Sequence, residues 1–385
     1  MKKLKIVLLY ISLVLIRWAS LGSPLPPSWT PDSLVRITAP ILDLPEFTDS
    51  KTIIRTGIWD IQLLGYAGII PGDTMAFTGK VETKVLGNKF VKLIMKDPTF
   101  EKIAIDEGVG DCLICRMRIT ISIMRQNLLS ILEKNLPEPM SSLAAGIILG
   151  INRGMPRDFY DALVSTGTIH VVAASGYNVA IVAKVVMGAL GRLLGRKVSV
   201  VFGVVGIVIY IMLAGMSASV VRAGVMGSLA LIAVYFGRPT EARRLLWVTV
   251  MILLLFYPLM LVDVGFQLSV AATIGILYIQ PLFDQWGQRI LSRIGWLQAT
   301  LSDYLYPTLA ASISTLPVIL WYFGRMSWMS PIVNMLILPV VPLIMFLTSI
   351  SLFAGSVNLV MGRVVSVILY VPLAWVVWVV ELFGQ

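Results

Sequence analysis

From Gly167 onward the chain alternates long apolar runs with short polar turns, and the runs approach the roughly 20 apolar residues that a membrane-crossing helix needs. Earlier in the chain the rhythm differs. Leu34-Val35-Arg36-Ile37-Thr38, Thr52-Ile53-Ile54-Arg55, Met75 to Val81 and Phe90 to Met95 are short β-branched or alternating runs. Turn formers at Pro71-Gly72-Asp73 and Leu86-Gly87-Asn88 punctuate them. The two patterns predict two solvents: a helical bundle in lipid, preceded by a β-rich domain in water. Several short strands suit a small barrel such as an OB-fold, and a small sandwich reads much the same way.

Between these regions Ile121, Met124, Leu128 and Leu132 recur at helical spacing among Arg118, Arg125 and Lys134, which predicts an amphipathic helix lying on the membrane or packed on the bundle. At the start of the chain, Met1-Lys2-Lys3-Leu4-Lys5 precedes apolar residues to Ile16. A signal peptide and a first membrane helix both fit. Small residues from Ala19 to Ser23 offer a cleavage site, whereas Arg17-Trp18 suits an interfacial anchor. With an uncleaved anchor the expected organisation is residues 1–22 as that helix, 23–115 as the extracytoplasmic OB-like domain, 116–137 as the amphipathic helix and 138–385 as the transmembrane domain. The N-terminus would then be cytoplasmic.

Composition agrees with this division. Apolar residues are 57% of the chain and charged residues only 14%, against about 25% charged in soluble proteins, and the mean hydropathy is +0.86. Residues 23–140 carry 13 basic and 14 acidic residues, so the net charge of +10 does not come from a basic soluble module. Within the transmembrane region basic clusters fall on alternate loops: Arg192, Arg196 and Lys197, then Arg238, Arg243 and Arg244, then Arg289 and Arg293. By the positive-inside rule those loops are cytoplasmic. Beyond Tyr304, Pro317, Pro331, Pro339 and Pro342 interrupt the apolar runs and predict broken or re-entrant helices.

Candidate chemistry is sparse. The single histidine, His170, lies in Gly167-Thr168-Ile169-His170-Val171-Val172-Ala173-Ala174-Ser175-Gly176-Tyr177-Asn178-Val179, a polar seam in an apolar stretch. Polar and ionisable groups in hydrocarbon face the protein interior or a water-filled path. Arg222 is a natural phosphate-contacting group or half of an ion pair with Asp263, while Ser175, Asn178, Gln267, Ser269 and Asn334 either line a route or fasten helices together. His170 can titrate near neutral pH or pack as a neutral residue. Lys80, Lys84, Lys89, Lys92 and Lys96 gather on one predicted hairpin, as a surface for a phosphate backbone or as a solvated edge that discourages strand pairing. Cys112 and Cys115 form a disulfide or remain thiols. One histidine cannot build a histidine-rich metal centre, and Gly191-Arg192-Leu193-Leu194-Gly195-Arg196-Lys197 has the wrong glycine spacing for a phosphate loop. No catalytic residue, metal or cofactor is expected, and no ATP hydrolysis.

The Gly167–Val179 stretch resembles the signature of the competence domain of the ComEC family, inner-membrane channel proteins that import transforming DNA. Ser217 to Ala223 with Met226, Asp263 to Ser269, and Leu316-Pro317 with Phe323-Gly324, Pro331, Asn334 and Pro339 follow in that family's order. The resemblance implies a multi-pass protein of the bacterial cytoplasmic membrane that carries single-stranded DNA inward and is not itself an enzyme. It also implies an external DNA receptor and a cytoplasmic helicase-like ATPase, while one subunit or a homodimer interface would equally form the pore. Two departures matter. Asn178 stands where family members usually have a second histidine, and asparagine cannot take up a proton. Longer members carry a metallo-β-lactamase-like domain that is not found up to Gln385, so no nuclease activity is carried over. A secondary transporter or exporter of a lipid-linked or small anionic substrate would use similar residues. A non-transporting scaffold would leave Arg222 and His170 without a purpose.

Overall fold

The computed structural model describes residues 34–41, 46–48, 51–56, 59–64, 73–86, 90–103, 113–151, 155–172, 174–237, 241–291, 295–324 and 327–384. The 1–22 anchor, Lys89 and Cys112 lie outside them. The chain divides into two compact units, 1–130 and 131–385.

The first unit holds seven strands: β1 (Leu34–Pro40), β2 (Glu46–Thr48), β3 (Lys51–Thr56), β4 (Trp59–Leu64), β5 (Thr74–Leu86), β6 (Phe90–Lys96) and β7 (Thr99–Ile103). Their order is β1-β5-β6-β4-β3-β2, with β7 also on β5, and β4 and β6 run parallel. Among the described residues no pairing closes the sheet, so the expected small barrel is seen as an open seven-stranded sheet. The long β5 serves two partnerships, meeting β1 and β7 through residues 74–80 and β6 through 81–86. Gly79 stands at that transition, where a Cβ would lie 3.0 Å from both Met95 Cγ and Pro98 Cβ. Side chains of period two, Ile61 with Leu63 and Met75 with Phe77, join Ile41, Ile54 and Met95 in the core.

Helix α1 (Leu113–Asn135) crosses from one unit to the other. Its buried stripe passes through Ser122, Arg125, Leu129 and Leu132 and continues to Leu136 beyond its end. The expected stripe is therefore rotated: Met124 is exposed and the neighbouring Arg125 is buried. The apolar count alone favoured Met124, whereas the long stem of an arginine can also cover apolar surface.

The second unit is helical. Helix α2 (Met140–Leu149) is buried at all ten positions and ends at Gly150, whose φ of 65° and closeness to Ala214 O exclude a side chain. There follow α3 (Arg157–Ser165), the short α4 (Ile169–Val172), α5 (Gly176–Leu194), α6 (Arg196–Leu213), α7 (Ala218–Tyr235), α8 (Ala242–Phe256) and α9 (Val264–Ile274). A π turn over Gly275–Ile279 continues α9 into α10 (Gln280–Leu291), and α11 (Gly295–Thr300) continues through a second π turn into α12 (Tyr306–Phe323). The chain ends with α13 (Ser330–Ile337), α14 (Val341–Val357) and α15 (Leu359–Gly384).

Five helices among the described residues are long and apolar enough to cross a membrane: Arg196–Leu213, Ala218–Tyr235, Val264–Arg289, Gln298–Phe323 and Leu359–Gly384. The α13–α14 pair, bent by 49°, makes a sixth if counted as one span, which is the broken helix expected from the prolines. Less than half of each span is buried, from 11% for Val264–Arg289 to 44% for Leu359–Gly384, and the exposed side chains are largely apolar, as lipid requires. Small residues set the close contacts. Gly355 and Gly362 bring α14 and α15 together beside a Ser351–Ser366 hydroxyl pair at 2.8 Å, and Gly275 lets α12 approach to where a Cβ would strike Ala310 O.

Candidate functional site

Asn178, Arg222, Gln267 and Ser269 lie near the starts of the helices that carry them, and Ser175 and Asp263 immediately precede two of those helices. Helices α5, α7 and α9 begin at residues 176, 218 and 264, whereas α6, α8 and α12 end at 213, 256 and 323. Consecutive spans joined by short turns run antiparallel, so the three starts and three ends share one face of the bundle. Arg222 is the fifth residue of α7, about 6 Å along its axis. The seam is therefore nearer one membrane face than the mid-depth position its apolar surroundings suggested.

Arg222 is 6% exposed. Its Nε donates to Ser269 Oγ at 2.8 Å, and Ser219 Oγ, one turn earlier on α7, lies 3.2 Å from the same hydroxyl. Nη2 reaches the first turn of α5, 3.5 Å from where a Gly176 Cβ would sit. Among the described residues Arg222 has no ion pair, and no hydrogen bond is made by Nη1 or Nη2, which are nonetheless not fully enclosed. The alternative, a pairing with Asp263, is not formed among the described residues. Asp263 is exposed and caps α9, accepting from Phe266 N at 2.7 Å. A carboxylate at a helix N-terminus already satisfies backbone donors, so it has little need of a buried cation.

Asn178 is a fastener. It is 1% exposed, and its Nδ2 donates to Ile147 O at 2.8 Å, the same carbonyl that Tyr210 Oη approaches at 3.4 Å. Ser175 Oγ donates to Asn178 Oδ1 at 3.3 Å. Both ends of the amide are thus engaged, which ties α5 to α2. Gln267 behaves similarly, donating to Leu261 O at 2.8 Å and to Tyr322 Oη at 3.4 Å.

His170 is exposed on α4, with Nδ1 2.9 Å from Gly167 O. In the neutral ring that contact places the proton on Nδ1 and leaves Nε2 as acceptor. Gly167 itself, at φ 70°, packs its backbone on Ser327 and Ser330. Asn334 Nδ2 donates to Ser330 Oγ at 3.1 Å, while Asn334 Oδ1 and Ser327 Oγ are buried with no partner among the described residues.

Sequence reasoning missed Ser219, Tyr210, Ser327 and Ser330. Ser219 was detectable, since it sits three residues before Arg222 on one helical face. Tyr210 gave no signal beyond its presence in an apolar run. The basic hairpin forms as expected: Lys84 and Lys92 are Cα partners across β5 and β6, and Lys80 and Lys96 are exposed. Cys115 lies in α1, and its pairing with Cys112 falls outside the described residues. Among the described residues no group of histidine, cysteine and carboxylate side chains could hold a metal ion.

Residues 147–385 match the family model described as Competence protein. The chain is also 24% identical over 217 residues to ComE operon protein 3 of Bacillus subtilis (strain 168), an alignment covering 56% of this chain and 26% of that protein. The match thus spans about a quarter of the relative's length. No solved structure matches.

Proposed function

Since the chain belongs to the competence protein family, we propose that it provides the path by which single-stranded DNA crosses the cytoplasmic membrane during natural transformation. The observation that carries this reading is Arg222: a buried cation in an apolar bundle, without a carboxylate partner among the described residues, its terminal nitrogens beside the N-terminal turn of α5. Uncompensated charge is costly in a low-dielectric layer. A phosphodiester supplies the missing anion and leaves again as the strand advances, which a fixed carboxylate would not do. The start of α5 adds backbone N–H groups and the positive end of the helix dipole to the same spot.

In this reading Ser219 and Ser269 hold the guanidinium in place, and Asn178, Gln267 and Asp263 brace the helices around it. The positive-inside pattern supports a seam at the external face, because Arg196, Lys197, Arg243, Arg244 and Arg289 all lie toward the opposite face of the bundle. The β-rich unit and its lysines would then meet DNA first, with an external receptor delivering the strand and a cytoplasmic helicase-like ATPase drawing it in. The membrane potential opposes inward anion movement, so the motor is needed.

The test is internalisation of fluorescent DNA, scored as nuclease-protected signal, in a deletion strain complemented with wild type or Arg222→Ala. Loss of internalised signal with surface binding retained is the expected result for Arg222→Ala, and Arg222→Lys should recover part of it. Undiminished internalisation in the deletion strain would overturn the proposal and bring forward transport of a small or lipid-linked anion.

A further inference from the structure

At the opposite face of the bundle, α6 and α7 enclose an apolar groove of about 310 Å³ lined by Val200, Val201, Val204 and Val205 on one side and by Ile232, Tyr235 and Phe236 on the other. The lining positions on α6 recur at i, i+1, i+4 and i+5, one stripe of the helix. One turn before that stripe stands Lys197, whose Nζ lies 5.9 Å from the centroid of the Tyr235 ring. Arg196, beside it, is anchored across the helix pair by Nη2 donating to Val234 O at 3.1 Å. Both cations are exposed, and neither has an ion pair among the described residues.

We infer that this groove is a binding site for an anionic phospholipid, with an acyl chain along the valine stripe and the headgroup phosphate on Arg196 and Lys197. The chemistry is divided as such a lipid is divided. The apolar wall starts where α6 enters the membrane, and the charges stand at the level of the helix ends, where headgroups lie. Tyr235 sits between them with an aromatic body and a polar tip, the usual residue at that depth. An apolar side chain of a second protein copy would fill the wall but leave both cations unneutralised. The charge therefore selects the lipid. This site does not depend on the DNA reading, since it uses none of the seam residues.

The experiment is native mass spectrometry of the full chain released from nanodiscs of equal phosphatidylglycerol and phosphatidylcholine. Two juxtamembrane cations predict retention of phosphatidylglycerol over phosphatidylcholine by about thirtyfold. The R196A/K197A double variant should bring that ratio close to one, and R196K/K197R should keep it, which separates lost charge from misfolding. Val201→Trp, at an exposed position of the groove wall, should remove retained lipid of both kinds with the charges intact. Lys184→Ala, an exposed cation on α5, should change nothing. Equal retention of the two lipids by the wild type would overturn the inference, as would an unchanged ratio in R196A/K197A. Displacement of the lipid by millimolar inorganic phosphate would identify a free-anion site instead. A Val201→Trp variant that dissociates a dimer while keeping its lipid would identify a second copy as the occupant.

Discussion

Arg222 and Ser269 test how much of the seam is structure and how much is passage. Ser269→Ala removes the hydroxyl that accepts from Nε, and a hydrogen bond to a charged group contributes about 1.5–3 kcal/mol. The expected outcome is a lower melting temperature in detergent with DNA internalisation reduced less than in Arg222→Ala, because Nη1 and Nη2 remain. Equal loss of transport in the two variants would locate the function in the pair and not in the terminal nitrogens. Asp263 gives the contrasting case. Asp263→Ala should cost about 1 kcal/mol as a lost helix cap while Asp263→Asn is nearly neutral, and exchanging the charges of residues 222 and 263 should rescue nothing. The sequence made Arg222 conspicuous, but the partner it offered as an alternative to phosphate, Asp263, is not the group that Nε meets. Asp263 and Ser269 are six residues apart, about 9 Å along a helix, and complementary charge alone selects the aspartate. Geometry selects the serine, because a capping carboxylate already has its donors.

Helix contacts in the bundle depend on a few atoms that sequence patterns hardly mark. The strands at 34–40, 51–56, 74–86 and 90–96 were legible because alternation in a half-buried sheet is a strong signal, and the long apolar spans were legible from their length. Strands β2, β4 and β7 were not, and neither were three features of the helices. The buried stripe of α1 includes Ser122 and Arg125, so apolar periodicity places it one residue off. The π turns over Gly275–Ile279 and Leu301–Leu305 leave the helical pattern unbroken and carry no sequence mark. The role of Asn178 depends on Ile147 O, a backbone atom 31 residues away. Asn178→Ala would leave that tie unmade and should destabilise the protein by about 1–3 kcal/mol. If Asn178 is a fastener, internalisation in this variant should fall in step with the amount of folded protein in the membrane, measured by quantitative blotting. A loss of transport at undiminished folded protein would return Asn178 to the path. Gly275→Ala should also destabilise, since a Cβ there would lie 2.2 Å from Ala310 O and force α9 and α12 apart; thermal unfolding in detergent reads the effect directly.

On the scale of the whole bundle, the two chemistries are separated end from end. Arg222, Ser269, Gln267, Asp263 and Asn178 all sit close to the starts of α5, α7 and α9, whereas Arg196 and Lys197 open α6, Arg243 and Arg244 open α8 and Arg289 lies near the end of α10, toward the opposite face. That segregation fixes what each face can meet, because the cationic end favours an anionic leaflet and the seam presents one enclosed guanidinium, with the exposed Asp263 carboxylate held as a helix cap. It also makes orientation decisive. With the seam outside, Arg222 stands at the entrance, where a strand first leaves water; with the seam inside, it would stand at the exit and could not capture DNA. Single cysteines in a Cys112→Ser, Cys115→Ser background resolve this. Ser217→Cys, in the α6–α7 turn, and Asp263→Cys should react with an impermeant maleimide added to intact cells, whereas Arg196→Cys and Glu241→Cys should react only after permeabilisation. The reverse labelling would place the arginine-rich ends and their lipid groove outside, and Arg222 would have to act on a strand already drawn through the membrane.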